Sequence, residues 1–309
     1  MQLWQALLLG ALQGVSELFP VSSLAHTILI PAILNWSIDQ EASNFLAFVV
    51  ALHLATAIAL LIYFWQDWKA IILAYVGSFQ RRTLVYDNTS KFAWLLVAGT
   101  IPVGIFGLIF EKQLRKFFED PKLYWVVALI LVINGGVMLY GEYLRRRANR
   151  LAAKTGAAEV PHHYAGPDAD RELAVEGQLK NVEDLSYGQG AGVGASQILA
   201  LFPGISRSGV SMVGGLLAGL SHEEAARFSF MLATPVIGLA ALLKVPDLLK
   251  PEARDILGMT VLAAILAGIT AYLSVRFLMR YFETKRMSPF GFYCIYAGLI
   301  ALIILQLRG

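Results

Sequence analysis

Residues 12–27 read LQGVSELFPVSSLAHT, a stretch that places polar side chains inside an otherwise membrane-like composition. Gln13 and Glu17 are four residues apart, so on a helix they share one face. Pro20 interrupts that helix and can begin the next one, for which Ser22 and Ser23 are natural N-caps. The stretch therefore predicts two short helices joined by a turn.

His26 extends the same polar cluster into the second of these helices. It follows Ser23 by three residues and Ser22 by four, which places the three side chains on one side of the helix. The predicted hairpin thus presents a carboxylate, an amide, two hydroxyls and an imidazole around a single turn.

The composition indicates the surroundings of this hairpin. The chain has 309 residues, of which 57% are hydrophobic and 15% are charged, whereas soluble domains have about 25% charged residues. We therefore predict an all-α integral membrane protein that forms one membrane domain over residues 1–309. The net charge of +3 suits contact with membrane lipids and does not favour nucleic acid. The lone Cys294 excludes an internal disulfide framework.

Hydrophobic segments of roughly 20 residues predict membrane-spanning helices. Six segments reach this length without a central charge: 44–65, 92–110, 123–141, 228–244, 256–279 and 289–307. Two further apolar regions, 1–35 and 187–220, are broken by Pro, Gly and polar residues. We interpret both as re-entrant helix-turn-helix hairpins, which are tolerated at membrane depth only when protein or a wet cavity surrounds them.

The two broken regions belong to an internal repeat. LFP at 18–20 followed by Ser23 recurs as LFP at 201–203 followed by Ser206. Each copy continues with three predicted spans, an odd number, so the second copy is expected to be inverted relative to the first. This predicts inverted repeats at 1–141 and 187–309, an architecture whose binding sites lie near the bilayer midplane.

A polar linker, 142–186, separates the two repeats. It contains RRRANR at 145–150 and the pair His162–His163, for which a hydrated loop is a better interpretation than a metal site. The excess of Lys and Arg on the linker side of the membrane predicts that this side is cytoplasmic. The first hairpin is then expected to enter from the opposite face.

The second hairpin contains FPGISRSGVSMVGG at 202–215. Gly204 permits a tight turn, and a helix start follows it. Free backbone N–H groups at a helix start bind anions, and the planar guanidinium of Arg207 fits phosphate oxygens. The hydroxyl candidates on this segment are Ser206, Ser208 and Ser211.

Glu17 and Arg207 are costly in a membrane, by at least ~2.5–3.5 kcal/mol each on insertion scales. If the inverted repeats bring the two hairpins together, a multiply charged anion and a divalent cation would neutralise both side chains. The sequence therefore predicts a phosphate site inside the membrane. The main structural alternative is that Glu17 serves only as the ion partner of Arg207. His53, in the middle of a span, is interpreted as a packing or hydrogen-bonding histidine.

Three segments resemble the undecaprenyl-diphosphate phosphatase family, also called bacitracin-resistance proteins. They are QGVSELFPVSSLAH at 13–26, PGISRSGVS at 203–211 and, more weakly, RFSFMLATP at 227–235. The resemblance implies two inverted repeats in the bacterial inner membrane. It also implies hydrolysis of a C55 isoprenyl diphosphate to the monophosphate carrier used in cell-wall synthesis, with Mg²⁺ or Ca²⁺ as cofactor.

The resemblance also assigns roles to residues. Glu17, assisted by Gln13, would hold the metal, and Arg207 with the backbone N–H groups of 204–209 would hold the diphosphate. Substrate contacts are expected from Ser22, Gly204, Ser206, Ser208 and Ser211. Ser23 is the candidate nucleophile with His26 as its base, while attack by His26 itself or by water stays open.

One functional alternative accompanies this hypothesis. Inverted repeats with broken helices are also typical of secondary carriers, so a transporter or lipid flippase with a midplane anion site is the second functional candidate. The expected partners are the polyprenyl diphosphate and membrane lipids, and the architecture is compatible with a homodimer.

Overall fold

A computed structural model describes residues 1–40, 42–154, 180–248 and 255–308. Apart from one isolated bridge between Lys180 and Leu220, the regular structure of these residues is helical. The helices are α1 Leu3–Ser16, α2 Ser23–Ile33, α3 Ser43–Tyr63, α4 Trp65–Gln80, α5 Asn88–Glu119, α6 Tyr124–Lys154, α7 Tyr187–Ser196, α8 Arg207–Ala218, α9 His222–Leu248, α10 Leu257–Phe282 and α11 Ser288–Arg308.

The six predicted spans are confirmed as long helices. Within the described residues, six helical segments are long and apolar enough to cross a membrane: Asn44–Tyr63, Asn88–Phe110, Pro121–Ala148, His222–Lys244, Leu257–Phe282 and Ser288–Arg308. They belong to α3, α5, α6, α9, α10 and α11. Each holds a run of about 20 residues with few charges, the length that spans the hydrocarbon core as a helix. The prediction of an all-helical, multi-pass membrane protein is confirmed.

Helix α4 has no counterpart in the sequence prediction. It follows α3 after a single residue, Phe64, and its charged side chains Asp67 and Lys69 explain why its sequence does not read as a span. Ile71 and Ala74 are buried, whereas the neighbouring Ile72 is exposed. The Asp67 carboxylate accepts a hydrogen bond from Arg227 at 2.8 Å, which ties α4 to α9.

The two broken regions form pairs of short helices, α1 with α2 and α7 with α8. Helix α1 packs along α10, and α7 packs along α5. Both contacts are close because glycines face the partner backbone: a methyl group at Gly14 would overlap the Ala267 carbonyl, and one at Gly194 would overlap the Gly99 carbonyl. Small residues of this kind allow helices to approach closely in membranes.

Helices α6 and α11 pack along each other and complete the core around the short helices. The structure differs here from the expected exposed linker, because α6 continues through the first part of 142–186. Glu142 and Arg145 are buried: Glu142 lies 2.9 Å from His222, and Arg145 donates to the Leu220 carbonyl at 3.0 Å. These contacts make continuation of the helix favourable. Residues 155–179, with His162 and His163, lie outside the described residues.

Candidate active site

Glu17 lies at the centre of the site, at the C-terminal end of α1. Its Oε2 accepts hydrogen bonds from Gln13 Nε2 at 3.2 Å and from Ser23 Oγ at 2.5 Å. Its Oε1 faces Arg207 Nη2 at 3.4 Å. The Glu17 side chain is buried, and the Arg207 side chain is nearly so, with 11% of its surface exposed. The structure therefore brings the two short-helix pairs together through one ion pair.

Arg207 is the first residue of α8, and its guanidinium is incompletely satisfied. Nη1 donates to the Ser229 carbonyl at 3.4 Å, and Nη2 faces Glu17. The buried Nε has no hydrogen-bond partner among the residues that the structure describes. The same is true of the buried Oε1 of Gln13, on the other side of Glu17. Buried polar groups are rarely left unpaired in folded proteins. The site therefore offers one vacant donor and one vacant acceptor.

The turn before α8 is held by Gly204 and Ser22. Gly204 has a φ of +114°, and a Cβ there would lie 2.7 Å from Ile130 side-chain atoms. Its N–H donates to Ser22 Oγ at 3.2 Å. Ser22 precedes α2 with a φ of 68° and makes no side-chain cap, so the predicted capping by this hydroxyl is wrong. The hydroxyl is used between the two helix pairs instead.

Ser206 is the N-cap of α8, as its position in the sequence predicts. Its Oγ accepts a hydrogen bond from Gly209 N at 3.2 Å and lies 3.0 Å from Ser208 Oγ. The N–H of Ser206 donates to Asn134 Oδ1 at 3.0 Å. Of the backbone N–H groups of 204–209, the described contacts leave only those of Arg207 and Ser208 without a partner. The open anion-binding part of this helix start is thus two residues long.

Ser208 and Ser211 point towards protein atoms. Ser208 Oγ is 3.5 Å from the Phe19 carbonyl, next to Ser206 Oγ. Ser211 Oγ donates to the Arg207 carbonyl at 2.7 Å and contacts Ser229 Oγ at 2.7 Å. Because Ser229 also binds Arg207, the contacts of Ser211 support the first turn of α8.

His26 is buried, and both of its ring nitrogens have partners. Nδ1 lies 2.7 Å from the Ser22 carbonyl, and Nε2 lies 2.8 Å from the hydroxyl of Tyr293. The Tyr293 ring stacks on the imidazole with a centroid distance of 5.8 Å. His26 makes no hydrogen bond with Ser23 in the described structure, because the Ser23 hydroxyl is directed to Glu17.

His53 is a site residue whose place the sequence analysis did not find. Its Nδ1 donates to the Val49 carbonyl at 2.9 Å, and its Nε2 lies 3.4 Å from Glu17 Oε2. The predicted hydrogen-bonding role is confirmed, but the partner is the central carboxylate. The feature of the sequence that could have indicated a site residue is a polar side chain in the middle of a predicted span. The partner is 36 residues away in sequence by the two residue numbers, so it could not be identified from spacing.

Asn134 joins both helix pairs from α6. Besides accepting from Ser206 N, its side-chain amide nitrogen lies 3.5 Å from the Pro20 carbonyl and 3.4 Å from Cys294 Sγ. The side chain is completely buried. In the sequence, Asn134 is marked only as a polar residue inside the predicted span 123–141. These contacts connect the turn at Pro20 to the start of α8.

The site contains side-chain oxygen atoms that could bind a divalent cation. In the described part of the chain, no three His, Cys, Asp or Glu side chains are grouped so that they could hold a metal ion alone. However, Mg²⁺ keeps several waters and is usually bound by one or two carboxylates together with substrate phosphates. The Glu17 carboxylate and the unpaired Gln13 Oε1 are hard oxygen ligands of this type, so these two residues fit such a cation.

Taken together, the fold and the site define a multi-pass membrane protein that buries a carboxylate–guanidinium pair beside an open helix start. The sequence profile of the bacitracin resistance protein BacA family matches residues 6–300. The chain belongs to this family, and its six apolar helices agree with a location in the bacterial inner membrane.

Relatives with assigned names match almost end to end. The chain is 44% identical to undecaprenyl-diphosphatase of Mycolicibacterium paratuberculosis, over 98% of this chain and 97% of that protein. It is 42% identical to undecaprenyl-diphosphatase 2 of Frankia alni, over 97% and 96%. It is also 42% identical to undecaprenyl-diphosphatase 1 of Burkholderia pseudomallei, over 98% and 96%. These names do not favour the transporter or flippase alternative.

Proposed function

We propose that this chain hydrolyses undecaprenyl diphosphate to undecaprenyl phosphate and inorganic phosphate. The activity agrees with the names of its end-to-end relatives. The single observation that carries the proposal is the meeting of Glu17 and Arg207 in a buried site with one vacant donor and one vacant acceptor. A diphosphate oxygen would accept a hydrogen bond from Arg207 Nε, and a divalent cation would bind Gln13 Oε1.

The proposed architecture is a pair of inverted repeats, 1–141 and 187–309, each starting with a re-entrant hairpin. Reciprocal packing supports it: the first helix of each pair lies along the second span of the other half, α1 on α10 and α7 on α5. Helices α6 and α11, the last span of each half, also pack on each other. Inverted repeats place sites of this kind near the membrane midplane.

In the proposed complex, Arg207 and the free N–H groups of Arg207 and Ser208 bind the diphosphate oxygens. A guanidinium beside a helix start combines a charged fork with the positive end of the helix dipole. Gly204, Ser206 and Ser22 hold this helix start in place through the contacts described above. Ser208 and Ser211 complete its support.

Glu17 and Gln13 would hold the divalent cation, which neutralises oxygen charge during phosphoryl transfer. Among the described residues, Glu17 Oε2 is contacted by Gln13, Ser23 and His53, while Oε1 faces only Arg207. Oε1 is therefore the oxygen available to a new ligand. Homodimerisation stays a separate prediction, which does not affect this assignment.

Ser23 is the proposed nucleophile. Its hydroxyl is already hydrogen-bonded to Glu17, so the carboxylate can accept the proton as Oγ bonds to the terminal phosphorus. The bond from that phosphorus to the bridging oxygen breaks, and undecaprenyl phosphate leaves. Water then attacks the phosphoserine while His26 accepts a proton from it, the Oγ–P bond breaks, and phosphate is released. Ser23 regains its proton from Glu17, and His26 passes its proton to solvent. Direct attack by His26 is less favoured because the Ser23 hydroxyl, unlike either ring nitrogen of His26, is hydrogen-bonded to a carboxylate that can accept its proton.

The test is phosphate release from undecaprenyl diphosphate by the purified protein in detergent. We expect release that stops with chelator and returns with Mg²⁺ or Ca²⁺. It should also fall at least 100-fold in Glu17→Ala, His26→Ala and Arg207→Ala, a loss expected when proton transfer or charge stabilisation is removed. A folded wild-type protein that releases no phosphate would overturn the proposal and favour a carrier. Near-normal turnover in all three variants would overturn the assignment of these residues to the active site.

A further inference from the structure

The hydrogen bond between His26 and Tyr293 joins the second helix of the chain to the last one. The two residues are 267 positions apart, and neither sequence motif includes Tyr293. Tyr293 lies on α11, where it is 47% exposed on the apolar surface, while its hydroxyl reaches the buried imidazole. The role of this contact follows from the hydrogen positions on the ring.

The Ser22 carbonyl determines which nitrogen of His26 carries the hydrogen. A carbonyl oxygen only accepts hydrogen bonds, so the 2.7 Å contact with Nδ1 requires an N–H at Nδ1. In the neutral ring Nε2 is then the acceptor, and the Tyr293 hydroxyl donates to it at 2.8 Å. A base must present an unprotonated nitrogen, so Nε2 is the only atom of His26 that can accept a proton.

The orientation of the ring is determined by the same two contacts. Rotation about the terminal side-chain bond of histidine has a broad energy profile, so the ring needs partners at both ends to stay in one orientation. The Ser22 carbonyl holds one end, and the Tyr293 hydroxyl holds the other. The imidazole is nearly parallel to the Tyr293 ring, with an interplanar angle of 7° and a centroid distance of 5.8 Å. Ser23 takes no part, since its hydroxyl binds Glu17.

We propose that Tyr293 is a positioning residue for His26, which fixes the ring and its Nδ1–H tautomer so that Nε2 serves as the base. The inference rests on the proposed phosphatase function and adds a residue from outside both motifs. Tyr293 donates its hydrogen bond in the resting site and gives up Nε2 when the hydrolytic water must be deprotonated. No covalent bond of Tyr293 forms or breaks in the reaction.

The test is Tyr293→Phe, which removes the hydroxyl and keeps the stacked ring. The matched control is Tyr296→Phe, one turn along α11, where the ring is 64% exposed. We expect kcat for phosphate release to fall about 5- to 10-fold with KM nearly unchanged, the effect of losing one hydrogen bond that orients a base. The control should match the wild type.

A second measurement separates positioning from other roles. In ¹⁵N-histidine-labelled protein, the His26 signals are identified by their absence from His26→Asn. The wild type should show the Nδ1–H tautomer with a hydrogen-bonded Nε2, and Tyr293→Phe should lose that Nε2 signature. An unchanged kcat, or a lower kcat with an unchanged His26 spectrum, would overturn the proposal. If the wild-type protein releases no phosphate, that result contradicts the proposed phosphatase function itself and, with it, the role of Tyr293.

Discussion

Replacing Glu17 with Gln tests the ion pair on which the site depends. The substitution keeps the size of the side chain but removes the charge that faces Arg207 at 3.4 Å. Arg207 is then a buried cation without a counter-ion. Removing one partner of a buried pair costs about 3–5 kcal/mol, because the remaining charge is uncompensated.

The geometry indicates the lower end of this range. The contact is longer than an ideal charge-assisted hydrogen bond of about 2.7–2.9 Å, and Arg207 Nε is already without a partner. We therefore expect a loss of about 3 kcal/mol in the free energy of unfolding. In a chain of 309 residues that loss lowers the midpoint of thermal unfolding by roughly 5 °C. Phosphate release should fall at least 100-fold.

The matched double variant, Glu17→Gln with Arg207→Met, separates stability from activity. It removes both charges, so the uncompensated cation disappears and most of the lost thermal stability should return. Activity should not return, because the anion-binding guanidinium is also gone. The assay is thermal unfolding in detergent together with phosphate release. A Glu17→Gln protein that unfolds at the wild-type midpoint would refute the buried ion pair.

Two further predictions concern residues outside the sequence motifs. His53→Leu removes one of the three contacts to Glu17 Oε2 and should lower kcat/KM for phosphate release about tenfold; His53→Gln, whose amide nitrogen can take the place of Nε2, should keep most of it. Equal activity of His53→Leu and wild type would contradict this role. Asn134→Leu leaves Ser206 N without its buried acceptor and removes one of two donors to the Pro20 carbonyl, the other being Cys294 Sγ; it should lower the free energy of unfolding by about 1–3 kcal/mol. The control for Asn134→Leu is Ile133→Leu at the neighbouring, half-exposed position, and equal melting of these two variants would contradict the bridging role.

The hydrophobic pattern predicted the six spans because a membrane helix has one strong requirement, about 20 residues without charge. The same pattern did not predict α4, whose Asp67 and Lys69 break the apolar run. Asp67 is accommodated there by Arg227 of α9, a partner that only the fold supplies. The continuation of α6 past residue 141 has a similar cause, since Glu142 is stabilised by His222.

Part of the arrangement of the site could also be predicted from the sequence. Gln13 and Glu17 share a helix face by spacing, and Ser206 and Arg207 follow a Gly turn that begins a helix, so local geometry predicts their orientation. That reasoning was wrong for Ser22, whose hydroxyl binds Gly204 instead of capping α2. A hydroxyl near a helix start has several possible partners, and local sequence does not select among them.

The sequence by itself determined the membrane environment, the broken helices and the types of polar groups available, because these follow from local composition and from helix periodicity. Only the tertiary structure decided which groups meet. Glu17 contacts His53 and Arg207, His26 contacts Tyr293, and Ser23 turns to Glu17. In a low-dielectric interior a buried polar group is stabilised by a partner, and which partner lies within reach depends on the packing of helices that are distant in sequence.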